Sequence, residues 1–186
     1  MREAGLVAAE ILDEVCAAAK PGVSTWELDQ IARAAIDKHK VTSAFLGYSD
    51  EPPYRGAVHL ASTRSSSTAS RARTTSSKDG DIIGIDFGIF KHGFCADTAR
   101  TVLRRQRVRD KHRKLVETAG QALERGDRAV PSRAAGSATS ATRSRAMRNH
   151  DGYSVVRQFV GHGTGRQMHE DPQVPNFGGA GRAESG

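Results

Sequence analysis

The sequence predicts an α+β domain, and three observations carry that prediction. Two amphipathic helical stripes open the chain. A pair of apolar, β-branched runs occupies its middle, and another helical stripe followed by a strand-like run comes after them. The 186 residues suffice for one domain with its own core.

Taken in order, Leu6, Val7, Ile11, Leu12 and Val15 recur at helical spacing, and Pro21-Gly22 ends that helix. Ser24 and Glu27 have the spacing of a capping box that starts a second helix, with Val23 placed to staple onto Leu28. Leu28, Ile31, Ala35 and Ile36 continue its stripe, and both stripes read as core packing. Residues 81–102 read as strands, led by Ile82-Ile83-Gly84-Ile85 and Phe87. Lys114 to Leu123 reads as a helix with Leu115, Val116, Ala119, Ala122 and Leu123 on one side. Gly152 to Val160 reads as a strand, and the Gly-rich tail after Asn176 carries no visible element.

Composition excludes several classes. No run of 18 apolar residues is present to span a membrane, and Met1 to Lys20 lacks the apolar centre of a signal peptide. Cys16 and Cys95 are the only cysteines, which suits a reducing cytoplasm better than a disulfide framework, and no zinc-finger spacing occurs. The net charge of +7 would ordinarily suggest a nucleic-acid partner. Its distribution argues otherwise. Residues 61–77 hold three Arg and no acid; residues 126–149 hold five Arg and one acid, Asp127; the rest of the chain is neutral. Neither stretch has the interleaved aromatics of a base-stacking surface, so no specific nucleic acid is expected. Residues 61–77 use only Ala, Ser, Thr and Arg, and residues 132–146 add only Gly. Such composition suggests disordered linkers, yet a 17-residue structureless segment inside a compact domain is itself anomalous.

The chemistry gathers in two places. Asp86 lies inside the apolar run Ile82 to Phe90, and Asp97 follows eleven residues later. With Lys91 and His92 as a two-residue hairpin loop, Asp86 would oppose Asp97 on one face, with Cβ atoms roughly 4.5–5.5 Å apart. Facing carboxylates repel unless a proton or a cation lies between them, so a hard divalent metal fits; the alternative is a pair of surface acids beside a turn. The second place is Gly161-His162-Gly163-Thr164-Gly165-Arg166-Gln167-Met168-His169. Glycines on both sides let a ligand approach His162, and a second His lies seven residues on; a structural histidine is the competing reading.

The segments MREAG, PGVSTWELDQIA, AFLGY, DGDIIGIDFGIF, GFCADTART and GYSVVRQFVGHGTGRQMHEDPQVPNFG resemble those of type I methionine aminopeptidases across most of the chain. The resemblance implies a pita-bread fold, a curved antiparallel sheet flanked by helices, around two divalent metal ions (Co, Mn, Fe, Zn or Ni). It implies Asp86, Asp97 and His162 as metal ligands, with Asp97 bridging both ions. His169 would be the catalytic and substrate-binding residue, contacting the peptide and helping to stabilise the tetrahedral intermediate. The implied partners are the N-terminal Met peptides of nascent chains, with the ribosome as a further candidate and a monomer as the working form. Tyr48 and Phe177 fall in family-like segments, although periodicity assigns no methionine pocket.

The chain also departs from that pattern. Of the five metal ligands the resemblance implies, three are present; the two glutamates come from segments later than Gly186, so a single incomplete domain over residues 1–186 and little activity are expected. Where the family carries a substrate-positioning histidine, residues 61–71 stand. Read from the third base of each codon, that stretch permits Val-Asn-Glu-Val-Val-Val-His-Gly-Ile-Pro, and residues 133–145 permit Gly-Ser-Arg-Leu-Gly-Asp-Ile-Gly-His-Ala-Val-Gln. Paired frameshifts in the gene or its sequencing would thus explain 61–77 and 126–149; true low-complexity insertions in a GC-rich genome are the alternative. Two functional rivals remain: a proline dipeptidase of the same fold, and a non-catalytic ribosome- or RNA-binding remnant.

Overall fold

The computed structural model describes residues 1–48, 52–62, 65–66, 80–104, 108–129, 152–154 and 156–176, of which 65–66 and 126–129 are described in backbone alone. The remaining parts of 61–77 and 126–149 lie outside the described residues. Contacts divide the chain into two units, Met1–Arg109 with Thr164–Met168, and Asp110–Gly163 with His169–Gly186.

In the first unit, α1 (Arg2–Ala18) buries Ala4, Ala8, Ile11, Leu12 and Val15. Leu6, expected in that stripe, is exposed, and the small Ala4 and Ala8 let the helix lie close to its neighbours instead. Helix α2 (Thr25–His39) begins as its sequence dictates: Glu27 N donates to Ser24 Oγ at 3.2 Å, and Ser24 N donates to Glu27 Oε2 at 2.7 Å. Five strands follow, β1 (Thr42–Ser43), β2 (His59–Ser62), β3 (Ser65–Ser66), β4 (Ile82–Lys91) and β5 (Phe94–Leu103), in one antiparallel sheet. Strand β4 is its spine, with β5 along one edge and both β1 and β2 along the other. Thus residues 61–62 and 65–66, part of a stretch whose composition suggests a linker, belong to a strand pairing.

The two-residue period of β4 separates core from site. Ile83, Ile85, Phe87 and Ile89 are fully buried in one cluster with α1 and α2. Burying each stabilises by about 1.5–3 kcal/mol relative to exposure. Asp86, Gly88 and Phe90 alternate with them on the other face.

The hairpin differs from expectation. Lys91 pairs with Phe94, so His92 and Gly93 form the loop. Both have positive φ, 51° and 75°, as a tight hairpin turn matched to strand twist requires. Gly93 tolerates that conformation better than any other residue, which draws it into the loop and displaces Lys91. Asp86 therefore opposes Ala99, and Asp97 opposes Gly88. The register moves by two positions, and a shift of two keeps both carboxylates on one face.

In the second unit, α3 (Asp110–Ala129) covers the predicted helix and extends it at both ends. Its expected apolar face is only partly used: Thr118 and Ala122 are buried, whereas Leu115 and Leu123 are exposed. Residues 152–154 and 156–160 form no strand, contrary to the sequence reading. An apolar run becomes a strand only where a neighbour accepts its hydrogen bonds, and Val156 and Phe159 stay exposed instead. The short strands β6 (Gly161–Gly163) and β7 (Glu170–Val174) pair antiparallel, with an irregularity between His162 and Gly163. A Cβ on Gly163 would fall 2.4 Å from Asp171 O, so this crossing accepts glycine alone. Among the described residues, no helix is long and apolar enough to cross a membrane.

Candidate metal centre

Asp86 and Asp97 sit on the β4–β5 face turned away from α1 and α2. As diagonal cross-strand neighbours their side chains remain within reach of each other. The Asp86 carboxyl is pushed up to about 6, first by burial and then by the negative charge of Asp97, against the opposing pull of His59 and the Phe87 N–H. The two carboxyls also share a hydrogen bond, which adds to the upward push on Asp86. A pair of oxygen donors that repel each other until a positive charge arrives matches the chemistry of a hard divalent cation, so these residues fit the metal that the sequence implies.

His59 escaped the sequence reading. It is the Cα partner of Asp86 from β2, on the same face, and its ring lies 6.2 Å from that of Tyr54. The available signal was Val58-His59-Leu60, a histidine between two residues that the fold buries completely.

Around this face, Ala44, Phe45, Cys95 and Met168 form a small buried cluster, against which Tyr54 and Phe90 pack. Phe45 and Tyr54 meet edge-on with centroids 6.2 Å apart. Cys95 N donates to Gly165 O at 2.7 Å, which ties the histidine-block segment 164–168 to the start of β5. The Arg166 guanidinium lies 5.0 Å over the Phe94 ring.

The histidines form the second pair. The His162 and His169 ring centroids are 4.2 Å apart. His162 Nδ1 lies 3.0 Å from Gly163 O. A carbonyl oxygen only accepts, so Nδ1 is the donor in this contact, and the neutral ring then offers its lone pair at Nε2, the arrangement a metal-binding imidazole needs. The structure therefore brings Asp86 to Asp97 within the first unit and His162 to His169 within the second. Among the described residues no group of three or more His, Cys, Asp or Glu side chains is gathered as a metal site. Tyr48 is about half exposed, at 48 %; Phe177 lies outside the described residues.

The model of metallopeptidase family M24 matches residues 1–186. The chain is 36% identical over 183 residues to a methionine aminopeptidase of Clostridium perfringens, covering 98% of this chain and 71% of that one. The crystal structure of the Thermotoga maritima methionine aminopeptidase superposes with a TM-score of 0.87 at 28% identity, covering 98% of this chain and 71% of that chain. The prolidase from Pyrococcus furiosus superposes at 0.68 with 19% identity, a likeness of fold alone. The helices and antiparallel sheet are those of the pita-bread fold.

Proposed function

The chain belongs to metallopeptidase family M24, and from that premise we infer that its reaction is metal-dependent removal of the initiator methionine from new proteins. The observation that carries this reading is the Asp86–Asp97 pair, whose repulsion a divalent cation relieves. Identities of 34–36% to curated methionine aminopeptidases, over nearly the whole chain, favour this substrate over the Xaa-Pro peptides of the prolidase-like neighbours. Asp86, Asp97 and His162 are the ligands we assign, with two divalent ions as the full complement. When bound, the ions supply Lewis-acid activation of water and of the scissile carbonyl.

The protein's own residues do the rest. The strand pair β4–β5 holds both carboxylates on one face, and Gly163 lets the Glu170–Asp171 backbone cross close beside His162. His169, exposed and with its ring tilted 43° to that of His162, would donate a hydrogen bond to the substrate carbonyl.

Incubation with Met-Ala-Ser and with an Xaa-Pro dipeptide, in Mn(II) or Co(II), tests the reading. Methionine release that disappears in Asp97→Asn supports it. Preferential cleavage of the Xaa-Pro peptide would transfer the chain to the prolidase reaction.

A further inference from the structure

One buried charge has no part in the site described so far. Asp29 lies on the buried face of α2 beside Leu28, Ala32, Ala35 and Ile36, and its carboxylate accepts from outside its own helix. Its Oδ1 accepts from Ala57 N at 2.5 Å and Val58 N at 3.4 Å, while Oδ2 accepts from Arg33 Nε at 2.7 Å. Arg33 Nη2 in turn donates to Arg55 O at 2.5 Å. One helix-borne ion pair thus grips the backbone of residues 55, 57 and 58. The same segment is tied to itself by Tyr54, whose hydroxyl donates to Val58 O at 2.9 Å. Tyr54 and His59 flank the gripped residues, and His59 is the cross-strand partner of Asp86.

A buried carboxylate is retained at a desolvation cost, so its satisfied acceptor positions show what it organises. Four β2 residues pair with β4. A ladder that short fixes its own placement weakly, and the ion pair on α2 supplies an anchor immediately before it.

We infer that Asp29 is a positioning residue for the metal centre: through Ala57 and Val58 it holds Tyr54 and His59 beside Asp86, fixing the wall that a substrate held at Asp86 meets. This rests on the assignment of Asp86 as a ligand. Asp29 touches neither the metal nor the substrate, and it acts through the β2 backbone. An amide at this position keeps the side chain's shape. It loses the charge that pairs with Arg33 and strengthens the bonds from Ala57 and Val58.

The test compares the unaltered chain, Asp29→Asn, and Val15→Ala as a core variant of comparable destabilisation, all under conditions where each is folded. The readouts are the ring-to-ring NOE between Tyr54 and His59, the His59 ring resonances, and Mn(II) affinity by calorimetry. In Asp29→Asn the NOE should weaken at least threefold, the His59 resonances should move, and Mn(II) affinity should fall about tenfold. Val15→Ala should leave all three unchanged. An intact NOE with unaltered His59 resonances in folded Asp29→Asn would overturn the inference. Should Asp29→Asn fail to fold, Arg33→Met, which releases Arg55 and removes the ion-pair partner of Asp29 while leaving the Asp29 bonds from Ala57 and Val58, must still shift the His59 resonances. If the unaltered chain binds no Mn(II), the ligand assignment fails, while the NOE arm still decides whether Asp29 positions the wall.

Discussion

Replacing Asp86 by Asn should make the metal-free protein more stable at neutral pH while abolishing its response to metal. The folded chain holds the Asp86 proton up to about 6, whereas the ordinary carboxyl value is 3.8. Between those values the folded state binds more protons than the unfolded state, so the contribution of Asp86 to stability falls as pH rises through the window. Below about 4 both states are protonated and the penalty vanishes; above about 6 it is fully expressed. At full strength the displacement corresponds to about 3 kcal/mol. Solvent reaching the partly exposed carboxyl screens this to about 1–2 kcal/mol. Urea denaturation of both proteins from pH 3.5 to 8 measures it. The stability difference should be smallest below pH 4 and reach about 1–2 kcal/mol in favour of Asp86→Asn above pH 6.5, raising its Tm by about 2–4 °C per kcal/mol. Millimolar Mn(II) should then stabilise the unaltered chain and leave Asp86→Asn unmoved. If Asp86→Asn is less stable than the parent at pH 7.5, or if the difference does not vary with pH, the repelling carboxylate pair is the wrong description of this site.

Other perturbations address other links. Gly88→Ala would bring a Cβ to 3.1 Å from Ala44 Cβ and 3.8 Å from Asp97 Oδ1; it should cost about 1–2 kcal/mol and weaken Mn(II) binding, measured by denaturation and calorimetry. Ser24→Ala removes both the cap of Glu27 N and the hydroxyl that holds the Glu27 carboxylate, for an expected loss of about 1 kcal/mol in thermal unfolding followed by circular dichroism. Leu123→Lys, on the exposed side of α3, should change stability by less than about 0.5 kcal/mol, and a larger loss would show that this face is covered. Resequencing the gene across the codons for 61–77 and 126–149 tests the paired frameshifts: clean reads in the present frame would eliminate sequencing error as their source.

What the sequence made readable follows the range of each interaction. Helices α1 and α2 are set by contacts three and four residues apart, so periodicity and the Ser24–Glu27 box located them. Even there the precise face was misjudged at Leu6, because small residues on the same helix let it pack more closely through Ala4 and Ala8. The β4–β5 hairpin is also local. Its face was readable because alternation survives an error of two, and its register was not, because the loop obeys the backbone preference of Gly93 rather than the pattern of the strands.

Nonlocal pairing was unreadable for a different reason. His59 reaches Asp86 only because β2 lies against β4, and no periodicity within either segment encodes that choice. The anchor that helps make the choice, Asp29, looks in sequence like a polar interruption of a helical stripe. Its meaning depends on the backbone of residues 57 and 58, nearly thirty positions away. The same reasoning accounts for residues 152–154 and 156–160: Val156 and Phe159 have the composition of a strand, but a strand is a property of two segments. Where a local pattern and a distant partner agree, as at Ile83, Ile85, Phe87 and Ile89, the sequence is a reliable guide. Where the partner alone decides, the chemistry-bearing residue has to be sought among the cross-strand neighbours of a proposed ligand.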